Sequence, residues 1–96
     1  MRLSEKERAA IKKIIADKDA KAETYLYGSR ADDSLSGGDI DLLVISETLN
    51  FSDKLDILIL AKEALGDQKI DLSIKTVAQS KTDPFAREIL KSATRI

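Results

Sequence analysis

The stretch 25–46, YLYGSRADDSLSGGDIDLLVIS, constrains the fold of this chain more than any other. It opens on β-prone residues, breaks at Gly28, crosses a loop of Ser, Asp and Gly, and closes on DIDLLVI, whose far half, Leu42 to Ile45, is wholly apolar. Strand, turn, loop and strand are the expected result, and an unbroken apolar run suits a strand covered on both faces. The polar loop, residues 31–38, is too short for a parallel crossover, so the two strands are expected to be antiparallel neighbours. Asp39 and Asp41 stand at the mouth of the second strand, two residues apart and therefore on one face.

The remaining elements follow from periodicity and punctuation. Ser4 and Glu7 have capping-box spacing, Leu3 is placed as a staple, and Ala10, Ile11, Ile14 and Ile15 share a face, which predicts a helix over 5–18. The first strand is expected over 22–27 and the second over 39–45. Ser52 is expected to cap a second helix over 53–65 that stops at Gly66. Ile70, Leu72 and Ile74 alternate with Asp71 and Ser73, which predicts a third strand over 69–75. Asp83 and Pro84 open a C-terminal helix in the N-cap and N1 positions, with Phe85, Ile89 and Leu90 on its buried side.

The order α-β-β-α-β-α predicts an α/β (α+β) fold, a small mixed three-stranded sheet packed with helices, in a single domain over 1–96. A full helix joins the second strand to the third, so these two are expected to be parallel, with a right-handed crossover. Parallel pairing carries Asp71 to the edge where Asp39 and Asp41 begin. Antiparallel pairing of the first two strands brings Gly28 and Ser29 to the same place.

Composition limits what chemistry such a cluster could perform. The chain has neither cysteine nor histidine, which excludes thiolate nucleophiles, zinc-thiolate sites, imidazole ligation and a Ser-His-Asp triad. Carboxylates, hydroxyls, Lys and Arg remain, and hard oxygen donors suit Mg²⁺, Mn²⁺ or Ca²⁺. Sixteen basic residues against seventeen acidic ones and 4% aromatics leave little with which to grip nucleic acid, so direct nucleic-acid binding is not expected. The N-terminal residues lack the apolar core of a signal peptide, and the longest apolar run, residues 57–61, is too short to span a bilayer. A cytoplasmic location away from membranes is the default expectation.

Three carboxylates in one place repel. Two unit charges about 5 Å apart at an effective dielectric of about 20 cost roughly 3 kcal/mol. Either protons or a multivalent cation must relieve that cost, and phosphoryl transfer uses the cation. Gly28 lets the backbone approach a phosphate, and the N–H groups of the turn, with the Ser29 hydroxyl, can hold anionic oxygens. Arg30 could touch a phosphate or balance the nearby acids. Tyr25 and Tyr27 read as strand packing, and Lys75 and Lys81 as solvated. A D-x-D pair after a glycine-rich loop is also, taken alone, what a solvated strand start looks like.

The combination G-S-R-A, nine intervening residues after the serine, then D-I-D-L-L-V, resembles the signature of the nucleotidyltransferase fold of the DNA polymerase β superfamily. More narrowly, it resembles the minimal nucleotidyltransferases. The likeness covers most of the chain and includes a third acid, Asp71, in K-I-D-L-S-I. It implies that Gly28 and Ser29 contact the triphosphate of ATP, and Arg30 beside them is a further candidate for binding the nucleotide. Asp39 and Asp41 would bind two Mg²⁺ ions, and Asp71 would complete the carboxylate set and help activate the acceptor hydroxyl. Asp33 stands where the family often has glycine, and Gly38 where it often has serine.

Small members of this family are often paired with an all-helical HEPN protein. The resemblance implies an antitoxin of a type VII toxin–antitoxin pair, transferring AMP from ATP onto a tyrosine of its partner, a HEPN RNase toxin. The helix over 53–65 is broad enough in its apolar residues, with Leu55, Leu58, Ile59 and Leu65 in one stripe, to cover the sheet and also meet a partner. Two other readings stay open: an antitoxin that neutralises by binding alone, and a nucleotidyltransferase for a small acceptor that completes its site in a dimer.

Overall fold

The computed structural model describes residues 3–31 and 38–96. Helix α1, Glu5–Lys18, begins as its sequence requires: the Ser4 hydroxyl accepts from the Glu7 amide and the Glu7 carboxylate accepts from the Ser4 amide. Strand β1 is Glu23–Tyr27, a 3₁₀ turn follows at Gly28–Arg30, and β2 is Ile40–Ile45. Asp39 thus lies one residue before the strand. Helix α2 is Phe51–Leu65 and β3 is Ile70–Lys75. The chain closes with α3, Val77–Thr82, α4, Pro84–Leu90, and a two-residue strand β4, Thr94–Arg95.

The sheet runs β3-β2-β1-β4. β1 is antiparallel to β2, and β2 is parallel to β3, both as expected from the lengths of their connections. The sheet has four strands where three were expected, because β4 adds itself antiparallel to the free edge of β1. A two-residue strand carries no periodicity of its own, and pairing across the molecule creates it. Helix α3 was likewise unforeseen. Its six residues hold few apolar positions, although the Thr76 and Gln79 side chains form a capping box.

β2 is buried on both sides, and its alternation divides two apolar layers. Ile40, Leu42 and Val44 face Ile11 and Ile15 of α1 and Ile57 of α2. Leu43 and Ile45 face Ala86 and Ile89 of α4, flanked by Tyr25 and Tyr27. Phe85 does not belong to the buried side of α4; it is 48% exposed, and Ala86 takes the buried place. Asp83 caps α4 as expected and also pairs with Lys75 at 2.7 Å, so Lys75 is an ion-pair partner and not a solvated side chain.

Helix α2 departs from expectation at its start. Asn50 is the N-cap, closing a reciprocal pair with Asp53, and Ser52 lies inside the first turn. Its core contact comes from Ile57 and Ala61, while Phe51, Leu55, Ile59 and Leu60 stay exposed, Ile59 to 59%. Lys18 reaches Asp56 at 3.0 Å and ties α1 to α2. At the end of the sheet remote from Gly28, the buried Ser46 hydroxyl donates to Asp19 at 2.6 Å and accepts from the Thr48 and Leu49 amides. Among the described residues no helix is long and apolar enough to cross a membrane.

Candidate active site

Gly28 ends β1 at φ +73°, a conformation open to glycine and strained for other residues. A second constraint acts at the same position: a Cβ on Gly28 would run into the Asp41 carboxylate. Backbone and acid are therefore in close approach, as the antiparallel pairing predicts. The ladder sets the rest. Tyr27 is the register partner of Asp41 on one side, and Asp71 is its partner on the other. Register partners share a face, so Tyr27, Asp41 and Asp71 lie on the side of the sheet that α4 covers further along. The Ile40 amide donates to the Lys69 carbonyl at 2.9 Å and fixes where β2 and β3 begin together.

The electrostatics agree with that placement. Burial pushes the Asp41 carboxyl above the usual carboxylate range, and the charges of Asp71 and then Asp39 push it further, with a hydrogen bond between the Asp41 and Asp71 carboxyls acting in the same direction. Lys69 works against this; its ammonium lies 3.6 Å from Asp39. The Tyr27 phenol is raised as well, by burial first and then by the charges of Asp41 and Asp71, with a hydrogen bond to Ser73 opposing. The three acids are thus one electrostatic unit. All their donors are carboxylate oxygens, the set suited to Mg²⁺ or Mn²⁺. Among the described residues, no three acidic side chains already close around a single point as a finished metal cage.

The family model for polymerase β nucleotidyltransferases matches residues 9–96. The chain belongs to that family. A solved crystal structure of a protein provisionally named a nucleotidyltransferase superposes with a TM-score of 0.64 at 27% identity, covering 93% of this chain and 96% of the other. The comparison with curated proteins finds no match.

In this nucleotidyltransferase the six residues singled out from sequence fare differently. Gly28, Asp39, Asp41 and Asp71 come together at one end of the sheet. Ser29 lies within the 3₁₀ turn, whose Ala31 amide donates to the Gly28 carbonyl at 3.2 Å; the Ser29 side chain falls outside what is described. So do Asp33 and the rest of 32–37, while Gly38 carries φ +93°. Arg30 is held in place: its guanidinium donates to Gln68 at 2.7 Å and its Nε to the Gly38 carbonyl at 3.4 Å. Gln68 in turn donates to Glu7 at 2.7 Å, linking the turn after β1 to the start of α1.

Sequence reasoning overlooked three residues of this end of the molecule. Tyr27 packs against the Leu43 layer, as its strand position predicts, and it also borders the acids; pairing of the two strands sets it opposite Asp41. Lys69 sits directly before the third strand, so its approach to Asp39 follows from parallel pairing. Gln68 had no signal, because only the tertiary fold brings it to Arg30.

Proposed function

We propose that this chain is a Mg²⁺-dependent nucleotidyltransferase that moves AMP from ATP onto a tyrosine hydroxyl of a partner protein, a HEPN RNase toxin, and so acts as its antitoxin. The observation that carries this reading is the crowding of Asp41 by Asp71 and Asp39 directly against the Gly28 backbone. A protein gains nothing in stability from such crowding, whereas a reaction on a triphosphate needs it.

In this proposal Asp39 and Asp41 hold the ions, with Asp71 completing the set. The ions supply charge neutralisation on the triphosphate and its leaving oxygens. Gly28 admits the phosphates to the backbone of the turn, whose N–H groups and Ser29 side chain hold the anionic oxygens. Arg30, braced by Gln68, presents positive charge at the same turn. The acceptor oxygen forms a bond to the α-phosphorus, the bond from that phosphorus to the α–β bridging oxygen breaks, and pyrophosphate leaves. The acceptor proton passes to Asp71, the most exposed of the three acids. Partner recognition falls to the outer face of α2, where Phe51 is 70% exposed and Leu55, Ile59 and Leu60 are also open.

The test is to incubate the chain with its HEPN partner, Mg²⁺ and α-labelled ATP. Label should pass to a partner tyrosine, and Asp39→Asn or Asp41→Asn should abolish the transfer. The exposed α2 face also favours a second reading, neutralisation by binding alone. Under that reading the partner is silenced equally by the wild type and both Asn variants, and no label moves.

A further inference from the structure

A sizeable cleft lies away from the acids. It lies between α1 and the β1–β4 edge, with a volume of about 530 Å³. Small residues, Ala16 and Ala20 among them, form its apolar wall, while Arg8 and Lys12 overhang it one helical turn apart and Arg95 borders it at the sheet edge. No Asp or Glu lines it, in a chain whose acids outnumber its bases. Lys12 has no ion-pair or hydrogen-bond partner among the described residues, and the nearest acid to Arg8 is the exposed Glu5, at 3.9 Å.

A second, independent observation lies inside the cleft. Thr24 lines it, is 5% exposed, and its hydroxyl makes no hydrogen bond among the described residues. Buried hydroxyls are nearly always satisfied, by protein or by water, so this one is open to a partner that enters the cleft. Register places Thr24 opposite Val44, on the α1 face, whereas Asp41 pairs with Tyr27 on the α4 face. Cleft and acids are on opposite sides of the sheet and at opposite ends of β1.

We propose that this cleft is a second binding site, for a small organic phosphate. Arg8, Lys12 and the Thr24 hydroxyl are all donors, and a phosphate monoester offers several acceptor oxygens to them at once. A bare phosphate would leave most of the volume empty, while 300–1,000 Å³ is the usual range for sites that take a whole small molecule. The alanine wall supplies apolar contact for the organic part. The site does not depend on the nucleotidyl transfer proposed above.

The experiment is a titration of the ¹⁵N-labelled chain with phenyl phosphate, without divalent ions, followed by amide shifts, with phenylacetate as the carboxylate control. Saturable shifts at Ala16 and Thr24 are expected. The double variant Arg8→Gln, Lys12→Gln should weaken binding at least about tenfold, the scale of losing charged hydrogen bonds. Thr24→Val should weaken it in the same direction, and Asp39→Asn with Asp41→Asn should leave it unchanged. The assignment is overturned by an absence of saturable shifts, by equal binding in the Arg8/Lys12 variant, or by equal affinity for phenylacetate. Both charge substitutions are on the surface, so a Thr24 variant that fails to fold still leaves the question decided. Loss of transfer activity in the Asp variants with phosphate binding retained separates this site from the acids.

Discussion

Gly28 and Gly66 both hold positive φ, +73° and +81°, but a methyl group added to each would meet different surroundings. At Gly66 nothing lies within reach of a Cβ, and the cost is that of the backbone conformation alone, about 1–3 kcal/mol. At Gly28 the same conformational strain is joined by collision with the Asp41 carboxylate. Gly66→Ala should therefore lower stability in a denaturant melt and leave Mg²⁺–ATP binding intact, whereas Gly28→Ala should lower both. Asp41 itself should behave in the opposite sense. Its carboxyl is raised in the folded chain, so folding is penalised while the group is charged. That penalty is fully present above the folded value and fades as pH falls through it toward the ordinary 3.8. Asp41→Asn is expected to stabilise the ligand-free fold at pH 7, by less than about 1 kcal/mol because solvent screens a partly exposed group. The gap between variant and wild type should close as the pH is lowered toward 4. A variant less stable than wild type at neutral pH would show that the acids are not crowded at all.

The start of α2 offers a clean comparison between neighbouring elements of sequence. Asn50→Ala removes the acceptor for the Asp53 amide and should cost about 1 kcal/mol, while Ser52→Ala, one position inside the first turn, should change stability by less than about 0.5 kcal/mol. Equal losses in thermal melts would return the cap to Ser52. The same comparison shows what was legible before the structure. Serine and asparagine are both good caps; the expectation fell on Ser52, whereas the N-x-x-D spacing from Asn50 to Asp53 is what the fold uses. α1 had no such competitor, and its bounds follow from Ser4 and Glu7. An unbroken apolar run made β2 readable and alternation made β3 readable, and loop lengths made their directions readable, so the meeting of Gly28, Asp41 and Asp71 could be expected from topology alone. β4 and the Arg30–Gln68–Glu7 chain could not, because each exists only through partners distant in sequence.

At the scale of the whole molecule, the sheet has unlike ends. One end is stitched by Ser46 and Asp19, a carboxyl held below its ordinary range first by the Ser46 hydroxyl and then by the Lys21 amide. The other end gathers Asp39, Asp41 and Asp71, and Lys69, 3.6 Å from Asp39, offsets them in part. A chain with so small a core has little stability to spare, and that end remains unfavourable until positive charge arrives. Neither ion nor nucleotide alone completes the proposed site: ions without phosphates face three acids spread over two strands, and ATP without ions faces net negative charge. Mg²⁺ and ATP together should thus raise the melting temperature by more than the sum of their separate effects. At one hundred times the dissociation constant the gain is about 2.7 kcal/mol, and in a domain of this size each kcal/mol is worth about 4–8 °C. Differential scanning fluorimetry of wild type, Asp39→Asn, Asp41→Asn and Gly66→Ala tests this. The joint shift should survive in Gly66→Ala, where an added Cβ would meet no neighbour, and vanish in both Asn variants. A shift of equal size in the Asn variants would mean that the carboxylates do not form the nucleotide site, and the crowding at Asp41 would then need another cause.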